Sequence, residues 1–314
     1  MMRELRGVMT EAGGLDAVAL AFDPDSLVAL NVVLALVMVG VALDLRPADF
    51  AAVVRAPRAV IAGLLGQVVV LPALTFALVV LLRPPPSVAL GMMLVAACPG
   101  GNMSNFITHL ARGSTELSVT MTALGTMMAV LTTPLNLTLW SGMYADTATL
   151  VRGVALDRGE LVATVVMVLG APLGLGMLIA ARLPKQAARL RGPFKVLSIA
   201  CLALFIGLAL RRNADVFADH WELLLWIVAL HNGLALLAGW LVARTAGLPG
   251  RDRRAITIEV GIQNAGLALA LAFNFFPGLG GTAMIAAWWG GWHLVAGLTL
   301  AWLWRRAQAQ ATTT

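Results

Sequence analysis

Cys98-Pro99-Gly100-Gly101-Asn102-Met103-Ser104-Asn105 interrupts the apolar run Val88–Ala111. Glu259-Val260-Gly261-Ile262-Gln263-Asn264-Ala265-Gly266 interrupts Ile256–Phe276 in the same way. In the first stretch, a proline followed by two glycines breaks the helical hydrogen-bond ladder. In the second, an acid, two glycines and two amides stand together in an otherwise apolar segment. Irregular backbone at membrane depth is tolerated only where it is buried in protein or lines a cavity. A simple proline kink is the alternative for the first stretch, and a seam of small residues between helices for the second. Neither alternative needs a carboxylate beside amides.

Working outward, the rest of the chain is membrane-like. Of 314 residues, 60% are hydrophobic and 12% charged. A soluble domain carries about a quarter charged residues, so this composition argues against a soluble enzyme, a disordered chain and a disulfide scaffold. Cys98 and Cys201 both fall in apolar segments and show no metal-ligand spacing. A transmembrane helix takes about 20 apolar residues. Nine such segments are legible: Leu27–Leu45, Arg58–Leu82, Val88–Ala111, Leu117–Met143, Leu161–Ala181, Val196–Leu210, Leu223–Ala243, Ile256–Phe276 and Ala283–Leu303. Leu15–Phe22 reads as a degenerate or interfacial tenth, and Pro47–Arg55 as a short amphipathic surface helix. Tyr144–Glu160 and Pro184–Lys195 read as the longest loops.

The net charge of +6 orients the chain and implies no nucleic acid. Alternating spans leave only Arg83, Arg152, Arg158, Arg211 and Arg212 on one side, and the other basic residues of the loops fall on the opposite side. Arg182–Lys195 alone carries five basic residues and no acid. The positive-inside rule makes that side, and the C-terminus, cytoplasmic in an inner membrane. The N-terminus is outside for nine spans and inside for ten.

The two breaks fall in the third and eighth of nine spans. Counting a lost first helix, each is fourth of five in its half, the pattern of an inverted repeat with a site near the midplane. The expected fold is an all-α polytopic membrane protein of nine or ten transmembrane helices. Its parts are an N-terminal segment 1–26, a first repeat 27–157 broken at 98–105, a second repeat 158–306 broken at 259–266, and a tail 307–314. Other polar residues suit such a site. Gln67 lies five residues before Pro72, and Ser118 and Thr122 share one helical face. His231-Asn232-Gly233 lies in a later span, where His231 is either a satisfied core residue or a cavity residue. His293 follows Trp292 and Gly290-Gly291. Carboxylate, hydroxyl, amide and free carbonyl oxygens suit a hard cation such as sodium. Free half-helix N-termini suit an anionic substrate.

These segments resemble the bile acid:sodium symporter family from about Leu27 to Arg305. The resemblance rests on Cys-Pro-Gly-Gly-x-x-Ser-Asn at Cys98–Asn105, Leu-Ala-Arg-Gly at Leu110–Gly113, His-Asn-Gly at His231–Gly233, and Glu-Val-Gly-x-Gln-Asn at Glu259–Asn264. It implies a core and a panel domain, with the two broken helices crossing in the core, and two co-transported sodium ions. The first sodium site would use Ser104, Asn105, Ser118, Thr122 and Glu259. The second would use Gln67, Glu259, Val260, Ile262 and Gln263. Asn102, Asn264, Ala265 and His293 would face the substrate. Asn102, Ala265 and Leu294 depart from the common pattern, and this favours a small organic acid, such as pantoate or a keto acid, over a steroid.

The sequence therefore reads as a sodium-coupled symporter importing an organic anion, as a monomer in the lipid bilayer and not as an enzyme. The rival transport reading is a proton- or metalloid-coupled exporter of related fold. It would favour paired intramembrane Asp, which is not evident, or a site thiol, for which Cys98 is the candidate. A membrane enzyme would need an acid cluster near His231 or His293 that the sequence lacks. Asn102→Thr is expected to change the order of preference among organic anions in a thermal-shift screen. An unchanged order would remove Asn102 from selectivity.

Overall fold

The computed structural model describes residues 15–16, 24–44, 51–153, 159, 163, 166–212 and 214–311. These residues are overwhelmingly helical. The helices are α1 (Pro24–Asp44), α2 (Ala51–Arg55), α3 (Pro57–Leu82), α4 (Pro86–Ala97), α5 (Met103–Leu110), α6 (Thr115–Met143) and α7 (Ala145–Gly153). They continue with α8 (Ala171–Arg182), α9 (Pro184–Arg212), α10 (Ala214–Thr245), α11 (Gly250–Gly261), α12 (Ala265–Phe275) and α13 (Gly280–Ala311). Among the described residues, Pro57–Leu82, Thr115–Met143 and Phe217–Thr245 are each long and apolar enough to cross a bilayer unaided. α4 and α5 have 12 and 8 residues, and α11 and α12 have 12 and 11. At 1.5 Å per residue each is about 12–18 Å long, well under the ~30 Å hydrocarbon core, so only a pair can span it.

Several expected boundaries need correction. Pro184–Lys195 is not a loop, because α9 runs unbroken from Pro184 to Arg212. Lys, Gln, Ala and Arg are strong helix formers and Pro184 sits at the first helical position, so charge ends the apolar run without ending the helix. Ala145–Gly153 is likewise helical inside the expected loop Tyr144–Glu160. α1 begins at Pro24, three residues before the expected start. Much of Leu15–Phe22, Pro47–Arg55 and the start of Leu161–Ala181 lies outside the described residues.

Two helices contain π-turns just before a proline: Gly66–Val70 before Leu71-Pro72, and Val166–Gly170 before Ala171-Pro172. Pro72 has no N–H to give to the Val68 carbonyl. Asn136 of α6 takes its place, donating from Nδ2 at 3.0 Å, so the π-turn is stabilised from a neighbouring helix. This turn sets the environment of Gln67.

Close backbone packing organises the helices around the breaks. α11 lies on α10 at Gly239, where a Cβ would sit 2.8 Å from the Ile256 carbonyl. α4 lies on α13 at Gly91, where a Cβ would sit 2.9 Å from the Thr282 carbonyl. α1 packs mainly on α8 and α9, and meets the rest of the molecule largely through α12. The basic-rich helix ends meet at one end of the bundle: Arg254 donates to Ala111 O at 3.0 Å, and Ser114 N to Arg251 O at 3.0 Å. At the other end Asp16 Oδ1 accepts the Ser87 N–H of α4 at 2.8 Å, and Leu15 is fully buried.

One polar contact joins α1 to α12. Asn31 Nδ2 donates to Asn274 Oδ1 at 3.0 Å, and Asn274 Nδ2 returns a bond to Asn31 Oδ1 at 2.8 Å. Such paired amides contribute about 0.6–1.7 kcal/mol between membrane helices. Asn31→Ala and Asn274→Ala are each expected to lower the melting temperature, with the double variant less destabilised than the sum. Strict additivity in that cycle would show that the pair is not coupled.

Candidate functional site

The centre of the molecule is built by the two breaks lying against each other. Pro99, lacking an N–H, and the two glycines end α4, and the freed Ala97 carbonyl accepts the Thr133 hydroxyl at 2.8 Å. The second break runs in extended backbone at Ile262 (φ −107°, ψ 94°). The two segments exchange backbone hydrogen bonds in antiparallel fashion. Gly101 N donates to Ile262 O at 2.8 Å, and Asn264 N donates to Pro99 O at 2.8 Å. The groups that each helix loses by breaking are thus largely satisfied by the other. Both glycines are needed for the approach. A Cβ on Gly101 would stand 2.9 Å from Gln263 O, and one on Gly100 would collide with Glu259 Oε1 and reach within 3.0 Å of Gln67 Nε2.

Glu259, in the last turn of α11, is fully buried. Its carboxylate is approached by hydroxyls from two other elements. Ser104 Oγ of α5 donates to Oε2 at 2.6 Å, Ser118 Oγ of α6 to Oε2 at 2.8 Å, and Thr122 Oγ1 of α6 to Oε1 at 2.6 Å. The four-residue spacing of Ser118 and Thr122 does place both on one face. Around Thr122 Oγ1 the neighbours are all oxygens: Glu259 Oε1, Ser118 O at 3.0 Å, Asn105 Oδ1 at 3.2 Å and Ser104 Oγ at 3.4 Å. One hydroxyl proton cannot serve all of them. Among the described residues no basic side chain pairs with Glu259. A buried carboxylate surrounded by crowded oxygens fits a bound cation, because burial without a counter-charge is costly.

On the other side of the carboxylate, Gln67 is buried in the π-turn of α3, and neither its Oε1 nor its Nε2 has a partner. Gln263 donates from Nε2 to Val260 O at 2.7 Å and leaves its Oε1 unpartnered and buried. Orphaned buried polar atoms are uncommon and costly, at about 1–3 kcal/mol each. Three such atoms belong to Gln67 and Gln263 at the crossing, while others, such as Ser87 Oγ and Thr108 Oγ1, lie on other parts of the helices. All five residues expected for the first ion set, Ser104, Asn105, Ser118, Thr122 and Glu259, converge. Gln67, Glu259, Val260, Ile262 and Gln263 come together around the crossing.

The expected substrate residues lie at the half-helix N-termini. Asn102 is exposed at the start of α5 with no capping bond from its side chain. Asn264 caps α12 by accepting the Leu267 N–H at 3.0 Å, and Ala265 begins that helix. On α13, a Cβ at Gly290 would lie 3.3 Å from Ala265 Cβ, and one at Gly297 would lie 2.9 Å from Ile262 Cδ1. His293 falls between them in register, buried, with Nδ1 unpartnered. His231 belongs to the core: Thr75 Oγ1 lies 2.7 Å from its Nε2, and its ring packs edge-on to Trp289 at 4.7 Å. Thr75 Oγ1 also donates to Leu71 O of its own helix at 2.8 Å. Cys98 is buried in the apolar core cluster. Asn232 is the neighbour that sequence reasoning quoted in a motif without a role; its Nδ2 donates to Gly261 O at 2.7 Å.

Gly100→Ala is expected to displace the Glu259 carboxylate and to cost about 1–3 kcal/mol by overpacking, read as a lowered melting temperature. An unchanged melting temperature would mean that the crossing is not this tight.

The chain matches the model of the Sodium Bile acid symporter family over residues 31–220. It is 31% identical over 277 residues to the sodium-dependent transporter YocS of Bacillus subtilis, covering 88% of this chain and 83% of that protein. It is 32% identical over 274 residues to the probable chloroplastic sodium/metabolite cotransporter BASS1 of Arabidopsis thaliana, covering 87% of this chain and 66% of that protein. It is 30% identical over 252 residues to the ileal sodium/bile acid cotransporter of Oryctolagus cuniculus, covering 79% of this chain and 70% of that protein. With a buried, oxygen-lined crossing of two broken helices and this extent of likeness, the chain belongs to the Sodium Bile acid symporter family, a family of sodium-dependent membrane transporters.

Proposed function

We propose that this protein couples the entry of two sodium ions to the import of a small organic anion across the bacterial inner membrane, by alternating access. The observation that carries this reading is the buried Glu259 carboxylate, held by three hydroxyl groups, together with the unpartnered Gln67 amide and Gln263 Oε1 at the same crossing. One sodium ion is held by Ser104, Asn105, Ser118, Thr122 and Glu259. The other is held by Gln67, Glu259, Gln263 and the carbonyls of Val260 and Ile262. A single carboxylate shared by two cations leaves the pair with one net positive charge, which the anionic substrate balances.

The polarity of the half-helices supports the same assignment. The C-terminal end of α11 presents carbonyls toward the cation side. The N-terminal ends of α5 and α12, at Met103 and Ala265, present N–H groups suited to a carboxylate. Asn102, Asn264, Ala265 and His293 line that side, and its short, amide-rich character favours a small carboxylic acid over a bile-acid-like steroid. Ion binding orders the crossing and thereby the two N-termini, so each ligand raises the affinity for the other by the same factor. In this reading α1, α8 and α9 form the panel, against which the core carrying both breaks moves. The paired π-turns before Pro72 and Pro172 support two inverted repeats. The monomer is the working unit, and the basic-rich end and C-terminus face the cytoplasm.

Glu259→Ala is expected to abolish sodium-dependent uptake at normal expression; uptake that still depends on sodium would end the shared-carboxylate reading. Gln67→Ala is expected to raise the sodium concentration for half-maximal uptake about tenfold, equivalent to ~1.4 kcal/mol, with a smaller change in substrate affinity. A change that falls mainly on the substrate would take Gln67 out of the ion site. In the wild type, sodium at a hundred times its Kd is expected to add about 2.7 kcal/mol of stability, seen as a rise in melting temperature that potassium does not reproduce.

A further inference from the structure

We infer that Asn232 of α10 is a positioning residue of the second sodium site: by holding the Gly261 carbonyl, it fixes the two flanking peptide planes, whose carbonyls, Val260 O and Ile262 O, are the backbone ligands of the proposed ion. This rests on the sodium reading above and adds to it a residue outside both ligand sets.

Backbone accounting leads to it. In an unbroken helix the carbonyls of Val260, Gly261 and Ile262 would accept the N–H groups of Asn264, Ala265 and Gly266. The break redirects two of those donors. Asn264 N bonds Pro99 O at 2.8 Å, and Ala265 N bonds Gln263 O at 2.9 Å. Three carbonyls therefore need new partners, and each finds one in a different place. Val260 O takes the Gln263 side chain at 2.7 Å, Ile262 O takes Gly101 N of the other break at 2.8 Å, and Gly261 O takes Asn232 Nδ2 at 2.7 Å. Only the last comes from a helix that contains neither break. It ties the end of α11 to a continuous helix of 32 residues.

The side chain has no freedom to act elsewhere. Asn232 is fully buried. One turn further along α10, Leu236 fills the space beside Gly261, where any Cβ would collide with it. Two turns along, Gly239 lets α10 and α11 touch backbone to backbone. The positions 232, 236 and 239 form one stripe that fixes the register of α10 against residues 256–261. Asn232 Oδ1 has no partner and is buried, as are Gln67 Oε1 and Gln263 Oε1. An apolar residue of the same size would avoid that cost. What it could not do is cap the Gly261 carbonyl. Without the cap, Gly261 O would turn to compete for the cation, and the peptide planes on either side, which carry the Val260 and Ile262 carbonyls, would move with it. Groups that orient metal ligands in this way typically change affinity by 10–100-fold when removed.

The test uses the full chain, purified in detergent and reconstituted in vesicles. Asn232→Leu keeps the branched shape but is larger, and removes the donor; Asn232→Ala removes the donor with no risk of overpacking. Three quantities are read: the melting temperature without sodium, the sodium concentration giving half-maximal stabilisation, and the ratio of lithium to sodium affinity. The expected result is a rise of roughly tenfold or more in half-maximal sodium and a lithium-to-sodium ratio changed by a comparable factor. A fall in the sodium-free melting temperature with sodium affinity and ion ratio both within twofold of wild type would overturn the inference and leave Asn232 a packing residue. If neither variant yields folded protein, Asn232→Gln, which carries the same amide one methylene further out, is judged by the same criteria. Glu259→Gln is measured in parallel. If it keeps sodium-dependent stabilisation, the sodium reading itself falls; if it loses it while Asn232→Ala binds sodium like wild type, only the role of Asn232 falls.

Discussion

The molecule depends on two backbone hydrogen bonds, Gly101 N to Ile262 O and Asn264 N to Pro99 O, each 2.8 Å long. A helix broken inside a membrane exposes N–H and C=O groups that lipid cannot satisfy. One break alone would be a liability. Two breaks placed antiparallel exchange those groups, so each makes the other tolerable. Gly100 and Gly101 are required because any side chain there would occupy the space of Glu259 or Gln263. The crossing in turn brings four half-helix ends together at depth, with no need for a charged residue to be carried there on each.

Everything polar at the centre follows from that arrangement. Glu259 reaches the hydroxyls of Ser104, Ser118 and Thr122 because α11, α5 and α6 converge at the crossing. Gln67, on a helix whose π-turn is held by Asn136, borders the same space beside Gly100 as the Glu259 carboxylate. Among the buried groups left without partners, Gln67, Gln263 Oε1 and Asn232 Oδ1 flank the second break. The chain belongs to a family of sodium-dependent transporters, and a hard cation suits such an oxygen-rich, anionic centre.

Much of this is legible in the sequence. The two breaks, the carboxylate and the Ser118–Thr122 spacing are local patterns, and local patterns are what a sequence carries directly. The helix ends were less legible. α9 continues through Arg182–Lys195 because helix propensity, unlike hydropathy, does not fall when a chain leaves the bilayer. His231 could not be assigned from sequence, because its partners Thr75 and Trp289 lie far away in the chain. Asn232 stood beside it in the same motif, and its partner, the Gly261 carbonyl, is a backbone atom with no residue-type signature.

By itself, the sequence determined that this is an all-helical membrane chain with two interrupted spans, because apolar length, charge scarcity and helix-breaking residues act locally along the chain. It also determined the inventory of oxygens that a cation could use. Only the tertiary structure decided that the two interruptions pair strand-to-strand, that Glu259 sits between hydroxyls and amides, and that Asn31 faces Asn274. Those outcomes rest on hydrogen bonds between groups as many as 243 residues apart, and such bonds form only when the helices have packed.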